Sequence, residues 1–175
     1  MPSKTMPSQS KQAASTADLL RLDNQLCFAL YATSLAMTKL YQPLLAQLGL
    51  TYPQYLVMLV LWECDDQAVS EIGQRLALDS GTLTPLLKRL EQQGLLSRTR
   101  DAQDERRVRV SLTDAGWALR ELAADIPACI LRASRCSLDE VQALTMQVQA
   151  LRSAVQQATQ VNSTQHQPVF SPPVT

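Results

Sequence analysis

SEIGQRLALDSGTLTPLLKRLEQQGLLSRTRDAQDERRVRVSL, residues Ser70–Leu112, runs from helically spaced leucines into a basic, alternating segment. Its first half predicts two short helices joined by a tight turn. Ser70 is the expected cap of the first, with Ile72, Leu76 and Leu78 supplying core. Ser80 starts the second, in which Leu83, Leu86, Leu87 and Leu90 recur at helical spacing and Gly94 stops the run. The second half alternates like strand: Val108, Val110 and Leu112 stand against Arg107, Arg109 and Ser111. Leu96–Arg100 is its expected partner, and DAQDE is the polar tip between them. Two helices followed by a basic hairpin predict a winged helix-turn-helix, and hence a chain that reads DNA.

The overall charge is silent on that point, because 16 Lys and Arg balance 16 Asp and Glu. Distribution is more informative. Ser80–Leu112 carries seven basic residues against four acids, whereas Val60–Asp79 carries five acids and one arginine. Ser80 and Thr82 are placed to reach phosphates, and Thr82, Thr84 and Lys88 to reach base edges in the major groove. Arg89 is expected to meet the DNA backbone or an intramolecular acid. The hairpin offers Arg106 and Arg107 to a narrow minor groove, with Arg98 and Arg109 completing the basic set. Asp104 is a candidate for orienting a wing arginine through a bidentate pair. The plainer reading of the same charges is a solvated hairpin on a winged helix that binds no DNA.

Outside this stretch the chain is helical. Asp18–Leu48 has Leu19, Leu22, Leu26 and Leu30 in register, with a break expected at Pro43 and a stop at Gly49. Apolar residues on more than one side of that segment call for a partner subunit to cover them. Thr51 and Gln54 form a capping box ahead of the very apolar PQYLVMLVLWE, a central core helix. Thr113 caps the helix after the wing, and Ser137–Glu140 opens a last one with Val141, Leu144, Val148, Leu151 and Val155 in heptad register. The expected organisation is a disordered tail over 1–17, dimerisation helices over 18–50 and a DNA-binding domain over 51–112. Further dimerisation helices span 113–158, and a second tail rich in Pro, Gln, Ser and Thr spans 159–175. No apolar run approaches membrane-span length, and a cytoplasmic protein is expected.

Four cysteines without regular spacing suggest a reducing compartment and thiol chemistry rather than a disulfide framework. Cys27, within LCFALYATS, reads either as a small buried hydrophobe or as a reactive thiol. Tyr31, Tyr41, Tyr52 and Tyr55 are the phenols that can donate hydrogen bonds to a thiolate or a peroxide. Cys129 and Cys136 sit near the junction of the last two helices, and Cys64 ends the core helix. A zinc site built from these cysteines and His166 is improbable on spacing, and no cofactor is called for.

LCFALYATS, LYQPLLAQLGLTYPQYLVMLVLWE, LDSGTLTPLLKRLEQQGLLSRTR and DERRVRVSLTDAG together resemble the MarR family, and within it the repressors that sense organic hydroperoxides. The resemblance spans about Asp18–Ile126. It implies a mainly α fold with a small β-wing, a MarR-like winged helix-turn-helix flanked by N- and C-terminal dimerisation helices. It further implies a homodimeric repressor on double-stranded DNA bearing an inverted repeat. In that family the cysteine matching Cys27 is oxidised by organic hydroperoxide, and the tyrosines matching Tyr41 and Tyr52 hydrogen-bond it across the dimer interface. In two-cysteine relatives a C-terminal cysteine of the other subunit then forms a disulfide. That cysteine falls near Arg132 here, so Cys129, Cys136 or an external thiol is left as the resolving group. Two other functions compete: a repressor released by a small aromatic ligand with Cys27 structural, and a thiol peroxidase.

Overall fold

The computed structural model describes residues 16–101, 104 and 107–165. The chain divides into two compact units, one up to Leu119 and one from Arg120. In the first, α1 (Thr16–Leu19) and a 3₁₀ turn (Leu22–Asn24) lead into α2 (Leu26–Ala46), followed by α3 (Tyr52–Glu63), β1 (Gln67–Ala68), α4 (Val69–Leu76) and α5 (Ser80–Gln92). The wing strands β2 (Leu96–Arg100) and β3 (Val108–Leu112) come next, and α6 (Asp114–Ala123) crosses the division. The second unit holds α7 (Ile126–Ser134) and α8 (Leu138–Gln165). The mainly helical winged fold is therefore as the sequence predicts.

The core is built on α3. Val57, Met58 and Leu61 are completely buried, joined by Ile72 of α4 and by Leu83, Leu87 and Leu90 of α5. Gln54 opens α3 as expected, its side-chain carbonyl accepting the Thr51 N–H at 2.8 Å. At the far end, Trp62 Nε1 donates to the Gly116 carbonyl at 2.9 Å and ties α3 to α6 across 54 residues. Gly116 has to be glycine there, because a Cβ would lie 2.1 Å from the Leu95 carbonyl oxygen. Burial of Val110 and Leu96 fixes the wing on this core.

Four local expectations are corrected. The segment Asp18–Leu26 is not one helix: the Asn24 amide donates to the Asp18 carbonyl at 2.7 Å, and Gln25 Nε2 donates to the carbonyls of Leu19 and Arg21. These side chains take carbonyls that a continuous helix would need. Pro43 does not break α2, which continues to Ala46 and ends before Gly49 at φ +66. Pro43 and Lys39 are both exposed, so the carbonyl that Pro43 leaves without a donor is open to water. Ser70 does not cap α4. The cap of that helix lies two residues earlier, at Ala68, whose N–H the Glu71 carboxylate accepts at 2.8 Å. Finally, α8 runs through Gln165, past the expected start of a tail at Thr159. Its prolines begin only at Pro168, and extending an existing helix carries no nucleation cost. The remainder of both expected tails lies outside the described residues.

The sheet has the order β1-β3-β2, all antiparallel, with Leu96 opposite Leu112 and Ala68 opposite Arg109. Gly116→Ala is expected to lower stability by about 1–3 kcal/mol or more, since the methyl meets backbone rather than a movable side chain. Thermal and urea melts compared with wild type check this.

Candidate DNA interface and redox centre

The N-terminus of α5 is shaped by Asp79, whose carboxylate accepts both the N–H and the hydroxyl of Thr82 at 2.9 Å. Those hydrogen bonds, led by the backbone one, hold the Asp79 pKa below the ordinary 3.8. Ser80 starts α5 as the sequence predicts, and Asp79, which the sequence reading did not single out, is its cap. Thr84 is similarly engaged, its hydroxyl donating to the Ser80 carbonyl at 2.7 Å. Both threonine hydroxyl protons are thus used within the helix, leaving their oxygens as acceptors. Acceptors suit the exocyclic amino groups of adenine and cytosine in a major groove. Lys88 and Arg89 are exposed on α5 and form no ion pair among the described residues.

Ser70, Ser80, Thr84, Arg98 and Arg107 converge on one open groove of about 320 Å³ between α4, α5 and the wing. Inside that frame the wing arginines face acids. Arg98 donates through Nε and Nη2 to Glu91 at 2.9 and 2.6 Å, joining β2 to α5. Arg107 Nη2 reaches Glu71 at 3.1 Å, and Arg109 forks onto Asp66 at 2.8 Å. Asp104 contributes its carbonyl, which accepts the Arg107 N–H at 2.8 Å within the wing turn. Arg106 lies outside the described residues.

The cysteines occupy four different settings, all as free thiols. Cys27 is exposed in the first turn of α2, not buried in a core. Cys64 is exposed at the end of α3. Cys129, in α7, is half-buried and its sulfur accepts a hydrogen bond from Arg132 Nη2 at 3.1 Å. Cys136 follows the α7 terminus, half-buried, its thiol within 3.5 Å of the Ser134 carbonyl.

Of the four phenols, three converge. The Tyr41 and Tyr52 ring centroids are 4.9 Å apart, and Tyr55 lies 6.0 Å from Tyr41 and 6.2 Å from Trp62. Tyr31 stands apart on α2, largely exposed. Burial raises the pKa of Tyr41, Tyr52 and Tyr55 above the ordinary 10.0, and the neighbouring phenols push Tyr41 and Tyr55 further in the same direction. The cluster is therefore a set of neutral O–H donors at any physiological pH. Tyr55 is the member that the sequence reading left out of the site.

Comparison with known proteins places this arrangement. The organic hydroperoxide resistance transcriptional regulator of Bacillus subtilis (strain 168) is 51% identical over 140 residues, spanning 80% of this chain and 95% of that protein. This chain belongs to the MarR family of transcriptional regulators. Residues 39–121 also match a family model described as transcriptional regulator SarA/Rot. Among solved structures, reduced AbfR bound to DNA is 38% identical with a TM-score of 0.67, covering 79% of this chain and 96% of that one. AbfR comes from Staphylococcus epidermidis. Its disulfide-formed structure is 40% identical with a TM-score of 0.53, covering 77% and 95%. Like these MarR-type relatives, the chain is a regulator and not an enzyme. No helix among its described residues is long and apolar enough to cross a membrane.

The Asp79 cap carries a pH signature. A depressed folded-state pKa contributes stability that is present above the unfolded value and lost as pH falls through the folded one. The urea midpoint of Asp79→Ala is expected to lie below wild type at pH 7. The gap should close as pH drops below the ordinary 3.8. Paired urea titrations between pH 7 and pH 2.5 measure it.

Proposed function

We propose that the chain is a homodimeric repressor in the cytoplasm that leaves its operator when an organic hydroperoxide oxidises Cys27. The observation carrying this reading is the placement of Cys27 on α2. That helix is unbroken from Leu26 to Ala46. Cys27 and Tyr41 are about four turns apart on it, roughly 21 Å along the axis at 1.5 Å per residue. A thiol so far from Tyr41 on one rigid helix meets the Tyr41, Tyr52 and Tyr55 cluster only if another chain supplies it. The exposed Leu19, Leu22, Leu26, Phe28, Leu30 and Leu35 around Cys27 form the apolar surface on which that second chain docks.

The chemistry follows from that juxtaposition. The Cys27 thiolate attacks the peroxide, forming a sulfenate and releasing the corresponding alcohol. The neutral hydroxyls of Tyr41 and Tyr52, with Tyr55 behind them, donate hydrogen bonds to the peroxide oxygen as negative charge develops on it. Cys129 or Cys136 of the partner chain then displaces the sulfenic hydroxyl as water and forms the disulfide. The 51% identity to a hydroperoxide-resistance regulator and the existence of a disulfide form of AbfR support this sequence of steps. On the DNA side, Ser80, Thr82, Thr84, Lys88, Arg89, Arg106 and Arg107 form the proposed contact set.

The test is operator release by cumene hydroperoxide. Wild type is expected to dissociate, and Cys27→Ser to stay bound at the same dose; equal release from both would overturn the assignment. On non-reducing gels, oxidised wild type should run at dimer size. That band should vanish in Cys27→Ser and in only one of Cys129→Ser and Cys136→Ser. Independently, Lys88→Ala is expected to weaken binding across sequences and to lower the slope of log K against log salt by about 1, read by anisotropy titrations at several salt concentrations.

A further inference from the structure

We propose that Asp66 sets the position of the wing for operator binding by gripping Arg109, which makes Arg109 a positioning residue rather than a phosphate contact. The inference rests on the DNA-binding reading above. Asp66 sits between α3 and β1 in the left-handed region, at φ +51. Its two carboxylate oxygens accept Nε and Nη2 of Arg109 at 2.8 Å each, a parallel fork, and one of them also lies 3.2 Å from the Ser111 hydroxyl. Its backbone carbonyl takes a further hydrogen bond from Arg109 Nη2. The preceding residue, Asp65, accepts the Leu112 N–H at 2.9 Å. Two consecutive acids at the end of the core helix thus hold three residues of β3.

The remaining nitrogen of Arg109 is also engaged, with Nη1 3.7 Å from the Asp101 carboxylate beyond the end of β2. All three guanidinium nitrogens therefore face acids of the same domain. A phosphate would have to displace Asp66 to reach Arg109, giving up a fork whose geometry a phosphate merely equals. The pair is also well placed mechanically. Ala68 pairs with Arg109 in the sheet, so the grip lies where the two-residue strand β1 joins the wing to α3.

An exposed ion pair adds little to fold stability. An acid on a DNA-binding domain, moreover, opposes the phosphate attraction that dominates affinity. If Asp66 were only a surface acid, its removal would strengthen DNA binding. A positioning role predicts the reverse, and only for the specific site.

The experiment uses the full-length reduced protein and a duplex that wild type selects from a random-sequence library, with a scrambled duplex as control. Asp66→Asn is expected to weaken binding to the selected duplex roughly tenfold, while scrambled DNA binds as well as before or better. Arg109→Lys keeps the charge but loses the fork, and should show the same loss with an unchanged salt slope. The double variant should be no worse than either single one, and Asp66→Glu should recover part of the affinity. Melting temperatures measured alongside confirm that each variant is folded at the assay temperature. Undiminished binding by Asp66→Asn overturns the proposal, as does Arg109→Lys at wild-type affinity with Arg109→Gln losing about one unit of salt slope. If wild type selects no duplex at all, the DNA-binding reading fails and the inference falls with it.

Discussion

The unbroken helix α2 is the constraint on which the molecule depends. A rod of fixed rise holds Cys27 near one end and Tyr41 near the other, and no side-chain motion closes that separation. Tyr41 packs against Tyr52 and Tyr55 at the base of the core helix α3. The thiol end instead carries exposed leucines and no described core. Under the proposed function one chain supplies half of each of two sites, and assembly is then a condition for the chemistry rather than an addition to it. Pro43 leaves this rod intact because its missing donor falls on the solvent side.

The sequence made the local and periodic parts of this fold legible. Leucines at helical spacing defined α5, alternation defined β3, and the capping boxes at Thr51 and Ser137 marked true helix starts. The Cys27 setting was ambiguous because apolar neighbours in sequence read as core, whereas on an unpartnered helix they are surface. Long-range polar geometry left no such trace. In the sequence Asp65 and Asp66 register only as part of an acid-rich stretch, yet they hold β3 from more than forty residues away. The two-residue strand β1 is too short to show a period. Convergence of Tyr41, Tyr52 and Tyr55, with Tyr31 excluded, depends on how α2 packs on α3, which residue spacing alone does not encode.

Acids recur wherever a wing or recognition-helix group must be held in place. Asp79 organises the first turn of α5, Glu91 holds Arg98, Glu71 meets Arg107, and Asp66 grips Arg109. Formal neutrality in a DNA-binding chain follows from this arrangement: much of the negative charge is spent on orienting positive charge. Among the described residues, Lys88 and Arg89 of α5 are basic groups outside these ion pairs.

The last helix, α8, is the longest of the described elements. It extends for 28 residues with Leu144, Met146, Val148, Val155 and Val161 facing solvent in the single chain. In the proposed homodimer α8 gains its buried surface by association, and its folding then follows mass action. The population of competent repressor then depends on how much of it the cell makes. Expression level becomes a second input beside peroxide, acting on occupancy of the operator without any change in the oxidation state of a thiol.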